Sequence, residues 1–434
     1  MTPYSDFFKG KKITLIGLGL LGRGVGDAEF LAECGAEVLA TDLKSVEELA
    51  PSVEYLKKYP NISYHLGGHR TEDFTNCDMV IKAAGVPLDS PYIKAAKEKG
   101  IPIYMTGALF AKFAQEKGVT IVGITGTRGK STITHMIYHS LVRAGQKAIL
   151  GGNIRGRSTL AKIAEVEKGD IAVLELDSWQ LQGFGDLQIS PHIAVFSNLM
   201  PDHLNYYPDM HAYFSDKAYI FRNQRAGDSL FVEQGVAQLV AESRPPVASV
   251  VPPPIPADWK LIIMGEHNRI NASLAAAALR AAGLSEEDIR SGIESFEGVE
   301  GRFQFVREVG GVRIINDNNA TTPAATLAAL ASVPLEKTIL IMGGSDKGLE
   351  LGELIGKASR CKEVILLAGT GTDRIASVLP RAMTEGTLED AVRIARDRAE
   401  AGDFLLFSPA FASFGMFKNE YDRNDQFLKI IRAL

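Results

Sequence analysis

The chain of 434 residues is poor in cysteine and tryptophan and contains no long apolar run. Its cysteines, Cys34, Cys77 and Cys361, are far apart and form no C-x-x-C pair, which argues against a disulfide framework or a structural zinc site. A membrane-spanning helix needs about 18 consecutive apolar residues, and no such run occurs. The first residues lack a basic segment followed by an apolar stretch, so no signal peptide is expected. These absences predict a cytoplasmic protein without a membrane partner.

Charge of one sign is not concentrated anywhere along the chain. Lysine and arginine number 47, aspartate and glutamate 52, and the formal net charge is −5. Without a basic tract, a nucleic-acid partner is not expected. Hydrophobic residues make up 46% and charged residues 23%, which is typical of a globular protein, and the length predicts two to four domains.

Apolar strands alternate with helices in three successive blocks. The first block opens with a strand at 12–17, the second with a strand at 119–124, and the third begins after Arg302. Because β-α-β alternation produces parallel sheets, the pattern predicts an α/β fold. We expect three domains: a Rossmann-like N-terminal domain at 1–106, a central P-loop ATPase-like domain at 107–299 and a Rossmann-like C-terminal domain at 300–434.

A first glycine-rich loop follows the opening strand and begins a helix. It contains Gly17, Gly19 and Gly22, and Asp42 comes twenty residues later, at the end of the next strand. Glycines let backbone N–H groups approach a diphosphate at a helix N-terminus, so the loop predicts a nucleotide site. The pattern leaves open NAD, another nucleotide or UDP-type ligand, and a tight strand–helix turn that binds nothing.

A second loop is more specific for phosphate. The segment Gly126-Thr-Arg-Gly-Lys130-Ser131-Thr132 lies between an apolar strand and a helix. Its backbone donors and Lys130 can surround the β- and γ-phosphates, and Ser131 or Thr132 can offer a hydroxyl to Mg²⁺. Ile124 stands where the standard P-loop has its first glycine. The sequence therefore predicts an ATP site of modified P-loop type.

Several downstream side chains have the right chemistry and position to serve this site. Glu175 ends an apolar strand, where a carboxylate faces the ligand crevice of an α/β sheet, and His203 follows another strand. Lys217 alone is typical of a surface lysine. Asn268 and Asn271 begin an alanine-rich helix, where amides cap the helix or contact a purine edge.

The motifs taken in order resemble the Mur ligase family over essentially the whole chain. They are Thr125–Thr132, Leu174–Gln180, Asp202-His203, the segment Gly265-Glu-His-Asn-Arg-Ile-Asn271, Asn316-Asp317-x-x-Ala-Thr321 and Ser408–Ser413. The last segment is most similar to the members that add D-glutamate to UDP-N-acetylmuramoyl-L-alanine. The resemblance implies an ATP-dependent, ADP-forming acid–amino-acid ligase of peptidoglycan precursor synthesis. It implies ATP, the UDP-muramoyl compound and glutamate as substrates, Mg²⁺ as cofactor, an acyl phosphate and a tetrahedral intermediate, and a monomer.

The resemblance also assigns roles to residues at matching positions. The catalytic set is Lys130, Glu175, His203 and Lys217. The metal set is Ser131, Glu175, His203 and, if it is carbamylated, Lys217. The ATP-binding set is Gly126, Thr127, Arg128, Gly129, Lys130, Ser131, Thr132, Asn268, Asn271, Arg302 and Asp317. The UDP-substrate set is Gly19, Leu20, Leu21, Asp42, Gly85, Asn153 and His203. The amino-acid set is Thr321, Lys347 and Ser413.

Some positions depart from the family pattern. Arg128 replaces a frequent Asn, Asn319 a usual Lys, and Asp177 a usual Ser, while Glu420 and Asn424 replace an aromatic residue and a Gly. We hypothesise that Arg128 supplies the cation missing at Asn319. The last two changes lie where the family selects its amino acid, so the identity and stereochemistry of that residue stay open.

Other functions remain compatible with parts of the sequence. A related ligase would add another amino acid or L-glutamate, or use a folate-like acceptor. An NAD-dependent dehydrogenase would explain the first glycine loop but would leave the second loop, Glu175 and His203 without a role. An inactive nucleotide-binding partner is supported only by Asn319.

Overall fold

A computed structural model describes residues 3–20, 22–154, 158–203, 206–263, 265–379 and 382–434. The chain divides into two compact units. The first comprises Met1–Pro256 with Ile270–Ile293, and the second Ala257–Arg269 with Glu294–Leu434. Each unit is described separately. No helix in the described ranges is long and apolar enough to cross a membrane.

The N-terminal part of the first unit forms a parallel sheet in the order β3-β2-β1-β4-β5. Its elements are α1 Pro3–Phe8, β1 Lys12–Ile16, α2 Arg23–Glu33, β2 Glu37–Asp42, α3 Ala50–Leu56, β3 Ile62–Leu66, α4 Thr71–Thr75, β4 Met79–Lys82, α5 Pro91–Glu98, β5 Ile103–Tyr104 and α6 Thr106–Glu116. The residues of β4 are all buried, as expected for a strand covered on both faces. The parallel sheet predicted from the alternation is confirmed.

The second sheet is also parallel, with the order β11-β10-β9-β6-β8-β7. Its elements are β6 Thr120–Thr125, α7 Lys130–Arg143, β7 Ala148–Gly152, a 3₁₀ helix Leu160–Ala164, β8 Ile171–Glu175, α8 Ser178–Asp186, β9 Ile193–Phe196, α9 Met210–Lys217, a 3₁₀ helix Ala218–Ile220, β10 Ser229–Val232, α10 Gln234–Glu242, β11 Ser249–Val250, α11 Glu266–Ala281 and α12 Glu286–Glu294. The central strand β6 carries the phosphate loop at its carboxyl end, where ligands bind in open α/β sheets.

Helix α6 joins these two sheets into one hydrophobic core. Leu109, Phe110 and Phe113 on this helix are almost fully buried in a cluster that includes residues of both sheets. Phe113 contacts the rings of Phe7 and Phe8 at centroid distances of 5.4 and 5.9 Å. Because α6 is apolar on several faces, it packs against both layers and fixes the N-terminal sheet to the central one.

The second unit contains a mixed sheet in the order β12-β13-β17-β14-β15-β16. Its elements are β12 Gln304–Val309, β13 Val312–Asn316, α13 Pro323–Leu330, a 3₁₀ helix Leu335–Lys337, β14 Thr338–Gly343, α14 Gly352–Ala358, β15 Glu363–Leu367, α15 Thr370–Asp373, a 3₁₀ helix Ala376–Val378, β16 Met383–Glu385, α16 Leu388–Arg398, β17 Phe404–Phe407 and α17 Glu420–Ala433. Apolar clusters cover both faces of this sheet.

An antiparallel strand at the edge of the third sheet was not predicted. Strands β12 and β13 pair antiparallel through Gly310 and Gly311, whose φ values are 58° and 78°. Two left-handed residues in a two-residue loop match the twist of a hairpin, which explains the glycine pair. The third block was predicted to begin after Arg302, but no strand was predicted at β12, where Arg307 and Glu308 interrupt the apolar residues. The other pairings in this sheet are parallel, as expected.

Candidate functional site

The phosphate loop requires glycine at two positions. Gly129 precedes α7 with φ 82°, and a Cβ there would lie 2.6 Å from Oδ1 of Asn271. Gly126 has φ 142°, and a Cβ would lie 2.0 Å from Oγ of Ser197. Both positions therefore combine a backbone conformation that L side chains rarely adopt with a close neighbour.

The segment after β9 holds the phosphate loop in place. Asn198 accepts a hydrogen bond from the Arg128 amide (2.9 Å) and donates one to the Arg128 carbonyl (3.1 Å), to which Ser197 Oγ also donates (2.6 Å). The hydroxyl of Thr127 accepts from the Met200 amide at 3.0 Å. The Arg128 side chain itself is exposed. The backbone of the loop is thus fixed by neighbouring residues.

Two lysine side chains meet at one carbonyl of this loop. Lys130 Nζ donates to the Gly126 oxygen (2.9 Å) and the Thr127 oxygen (3.0 Å), and Lys217 Nζ donates to the same Gly126 oxygen (2.9 Å). Lys217 is 1% exposed. Burial, reinforced by the charge of Lys130, holds the pKa of Lys217 well below its usual range. This burial was not predicted, because the residues around Lys217 in the sequence are typical of a surface position.

Glu175 is a buried carboxylate at the end of β8, next to β6, where it pairs with Ile124. It is 2% exposed. A buried carboxylate is costly unless a positive charge or hydrogen-bond donors compensate it, so this position suits a cation. Ser131, also buried, lies in the first turn of α7.

The other predicted metal ligand, His203, lies beside an aromatic cluster. Its ring centroid is 4.7 Å from that of Trp179, its Nε2 is 3.7 Å from Asp202 Oδ2, and its φ is 54°. Within the part of the chain that the structure describes, no group of three or more His, Cys, Asp or Glu side chains is assembled for a metal. A hard cation here would therefore take Glu175 and Ser131 from the protein and need further oxygen ligands from phosphate and water.

A cavity of about 350 Å³ lies between the first two sheets. Gly19, Gly85 and Asn153, which the family resemblance assigned to the UDP substrate, line this cavity. Leu20 is 52% exposed and does not line it. Leu21 lies outside the described residues.

Asp42 and His203, also assigned to the UDP substrate, are not among the residues that line the cavity. The carboxylate of Asp42 stabilises the first glycine loop, because it accepts hydrogen bonds from the amides of Gly19 (2.9 Å) and Lys44 (3.0 Å). Trp179 lines the cavity, and its ring centroid is 4.7 Å from that of His203.

The same cavity exposes polar groups that the sequence analysis missed. Arg23 donates to Oδ1 of Asn153 at 3.2 Å. Asp27 accepts from Ser158 Oγ, and burial raises its pKa to about 6. Lys82 also lines the cavity. In the sequence, the only indication of these cavity residues was their position: a charged residue lies inside an apolar helix or at the end of an apolar strand.

In the second unit, the carboxylate of Asp317 accepts hydrogen bonds from residues of the same unit. Oδ1 accepts from the Phe303 amide (3.0 Å) and Oδ2 from Ser408 Oγ (2.7 Å). Burial raises the pKa of Asp317 to about 7, against a lowering influence from Arg302. Of the two predicted adenine-side residues, Asn268 belongs to this unit and Asn271 to the first, and both are buried.

The predicted amino-acid residues lie near one another in the second unit. Lys347 Nζ donates to Thr321 Oγ1 at 3.1 Å. Ser413 follows Ala412, whose backbone exchanges hydrogen bonds of 2.9 and 3.1 Å with Ser345, two residues before Lys347. A cation and two hydroxyls are thus placed in one region, which suits a carboxylate ligand.

Two of the departures from the family pattern have structural roles. Asp177 is the N-cap of α8, where its side chain accepts from the Gln180 amide and the Gln180 side chain accepts from the Asp177 amide. Asn424 accepts from Asn316 Nδ2 (2.8 Å) and donates to Glu300 Oε1 (2.7 Å). Both residues therefore stabilise local structure.

Comparison with known protein families and structures identifies each part of the chain. The family models described as Mur ligase MurD-like N-terminal domain, Mur ligase middle domain and Mur ligase glutamate ligase domain match residues 11–105, 124–244 and 301–411. A solved UDP-N-acetylmuramate-alanine ligase from Thermotoga maritima has a TM-score of 0.61 at 19% identity, covering 98% of this chain and 99% of that one. The T. maritima MurF ligase, solved with ADP, has a TM-score of 0.59 at 16% identity, with coverages of 91% and 94%. These structures share the fold.

Curated relatives are more similar in sequence. A UDP-N-acetylmuramoylalanine–D-glutamate ligase from Roseiflexus sp. (strain RS-1) is 34% identical, over 98% of this chain and 99% of the relative. A protein of the same name from Geobacillus kaustophilus is 33% identical, over 99% of each. Because the identity extends over nearly the whole length and all three domain models match in order, this chain belongs to the Mur ligase family.

Proposed function

We propose that this chain is an ATP-dependent ligase that joins D-glutamate to UDP-N-acetylmuramoyl-L-alanine. The observation that carries the proposal is the near-complete coverage of curated relatives that bear this activity in their names, at 32–34% identity. The site geometry supports it. A phosphate loop with two lysine amines at one carbonyl lies in the same unit as a cavity of about 350 Å³.

The first step is phosphoryl transfer to a carboxylate. A carboxylate oxygen of the muramoyl-alanine attacks the γ-phosphorus, the bond from that phosphorus to the β–γ bridging oxygen breaks, and ADP leaves. Lys130 and the amides of the phosphate loop stabilise the charge on the phosphoryl oxygens. Asn271, against which Gly129 packs, belongs to the nucleotide side of this site.

The second step forms the amide. The neutral amine of glutamate attacks the carbonyl carbon of the acyl phosphate, giving a tetrahedral intermediate. This intermediate loses the amine proton and expels inorganic phosphate as the carbonyl re-forms. We assign Thr321, Lys347 and Ser413 to the carboxylates of the incoming amino acid, because a cation and two hydroxyls lie together there.

The residues present suit Mg²⁺, which would neutralise phosphate charge when bound. Glu175 and Ser131 would hold it, and the burial of the Glu175 carboxylate at the carboxyl end of β8 is the supporting observation. We keep His203 as a ligand for a second ion. Lys217 is suited to carbamylation, because a neutral amine is the form that adds CO₂, and the product is an anion that can serve as a metal ligand.

We also propose that the enzyme acts in the cytoplasm as a monomer, without nucleic-acid or membrane partners. The domain boundaries that we propose are 1–106, 107–299 and 300–434. The ranges matched by the family models support this division, since each lies inside one proposed domain. Size-exclusion chromatography with light scattering tests the monomer, and a dimer mass would reject it.

A substrate panel tests the activity. The purified protein is incubated with ATP, Mg²⁺ and UDP-N-acetylmuramoyl-L-alanine, together with each D- or L-amino acid in turn. Phosphate release and product mass are measured, and Lys130→Met serves as the inactive control. D-glutamate should give the highest kcat/KM. Preference for another amino acid would replace the proposed specificity, and absence of phosphate release with every amino acid would reject the ligase.

A further inference from the structure

Lys82 is a buried cation that the mechanism above does not use. It ends β4, is 1% exposed, and lines the cavity between the first two sheets. Burial lowers its pKa to about 8, although Asp186 and Asp177 oppose that shift. Nothing in the described ranges lies within ion-pair distance of its amine. The cost of burying a charged lysine amine must be compensated by other polar groups.

The compensating groups are carbonyl oxygens of the loop that follows β4. Lys82 Nζ donates to the oxygens of Ala83 (3.4 Å), Ala84 (3.4 Å) and Val86 (2.8 Å). The loop also closes on itself, since the Val86 amide donates to the Ala83 oxygen at 3.1 Å. The amine of Lys82 thus binds three carbonyl oxygens of one short turn, those of Ala83, Ala84 and Val86.

Peptide geometry then determines where the amides of this turn point. In a trans peptide the C=O of one residue and the N–H of the next point in opposite directions, and the chain contains no cis peptide in its described part. The carbonyls of Ala83 and Ala84 face the ammonium, so the N–H groups of Ala84 and Gly85 face away from it. Neither amide donates a hydrogen bond to any described residue.

These amides lie at the wall of the cavity. Ala84 and Gly85 line it together with Gly17 and Gly19. The first glycine loop approaches this turn closely, because a Cβ on Gly17 would lie 2.9 Å from the Cβ of Ala83. A Cβ on Gly85 would meet no atom within 4 Å, so the space in front of this residue is open. Two unused donors beside a glycine loop form a concavity that suits an oxyanion.

We propose that Lys82 is a positioning residue for the UDP substrate: by holding the carbonyls of the 83–86 turn, it aims the Ala84 and Gly85 amides at an oxyanion of that substrate. The diphosphate and the free carboxylate of the alanyl group share this chemistry. The inference rests on the proposed function for the identity of the substrate. In this role Lys82 does not contact the reacting atoms.

Kinetics of Lys82→Met test the proposal. The variant keeps the length of the side chain but removes its donors, so the turn loses its anchor. KM for UDP-N-acetylmuramoyl-L-alanine should rise about 10- to 100-fold, while KM for ATP and for the amino acid and kcat change less than about threefold. Lys82→Gln retains one donor group and should recover part of the loss. Lys94→Met, on an exposed lysine of the same domain, should match the wild type.

Binding measurements separate this proposal from the proposed function. Calorimetry without ATP compares the affinity of wild type and Lys82→Met for UDP-N-acetylmuramoyl-L-alanine and for inorganic pyrophosphate. A wild type that binds either probe more tightly than the variant supports the role of Lys82 even if no ligation is detected. Equal affinities, an equal rise in all KM values, or failure of both Lys82 variants to fold would overturn it, as would a wild type that binds neither probe.

Discussion

Lys130 and Lys217 donate hydrogen bonds to the same carbonyl oxygen, that of Gly126, each at 2.9 Å. Two amines that share one acceptor repel each other if both are charged. Lys217 is the buried partner, so it loses its proton more readily. The phosphate loop therefore combines the amine of Lys130 with a second amine, that of Lys217, whose pKa is lowered by burial.

This arrangement predicts that Lys217 becomes a carbamate in bicarbonate buffer. Lys217→Met should lower kcat by about 10²- to 10³-fold, because an anion in a charge-stabilising site is lost. ¹³C NMR of protein in ¹³C-bicarbonate should show a carbamate signal in the wild type that is missing from Lys217→Met. The exposed Lys168→Met is the matched control and should retain both signal and activity. A wild type without the signal would leave Lys217 as an unmodified donor and contradict the prediction.

A second prediction concerns the contact between Gly129 and Asn271. Gly129→Ala should lower the melting temperature and raise KM for ATP at least tenfold, because the added Cβ would lie 2.6 Å from Asn271 Oδ1. Differential scanning fluorimetry and steady-state kinetics measure the two effects.

The control for this variant is Gly145→Ala. Gly145 also has a left-handed φ, of 75° against 82°, but a Cβ there would meet no atom within 4 Å. Backbone strain is therefore similar in the two variants, and only Gly129→Ala disturbs a neighbour. Equal loss of stability with unchanged KM for ATP in both variants would show that the Asn271 contact does not matter.

Sequence patterns predicted the features of the fold that depend on local order. Strand β1, the glycine loops and the β-α-β alternation were sufficient to predict the two parallel sheets, because a helix between parallel strands leaves few alternatives. The hairpin β12–β13 was missed because the adjacent charged residues Arg307 and Glu308 break the apolar pattern of β12, although Gly310-Gly311 was a usable hairpin signal.

Burial of single polar residues was harder to predict, because it depends on contacts between distant parts of the chain. Glu175 was found because it ends an apolar strand. Lys217 was assigned by family resemblance, and Lys82 was missed altogether. Lys217, for example, is buried where it meets Gly126, which is far away in sequence. The composition of a short window does not record such contacts.

A third prediction tests whether Arg128 supplies a cation to the transferring phosphate. Its backbone is fixed by Asn198, but its side chain is exposed and free to extend towards a ligand. Arg128→Ala should lower kcat about tenfold with little change in stability, since the loop backbone keeps its hydrogen bonds. Arg225→Ala, on an exposed arginine of the central domain, is the control. Unchanged turnover in Arg128→Ala would reject the role.

The fourth prediction concerns the pH dependence of stability, which follows from Asp317. Burial raises the pKa of this carboxyl from 3.8 to about 7 in the folded protein. Between these two pH values the folded state binds a proton that the unfolded state has released. Stability contributed by this proton is present at low pH and is lost as pH rises through about 7. Asp317→Asn carries no titrating group, so it should escape that loss.

Thermal unfolding of wild type and Asp317→Asn from pH 4 to pH 8 measures the effect. The difference in melting temperature, variant minus wild type, should increase from pH 4 to pH 8. Expressed as a difference in the free energy of unfolding, the increase should be about 1 kcal/mol or more. Subtracting the two curves removes the contribution of Asp27, whose pKa is also raised by burial, to about 6. Ser408→Ala should steepen the wild-type trend, because the Ser408 hydroxyl stabilises the charged form of Asp317. If the two melting temperatures instead run parallel over this range, Asp317 is charged in the folded protein and its hydrogen bonds from Phe303 and Ser408 outweigh its burial.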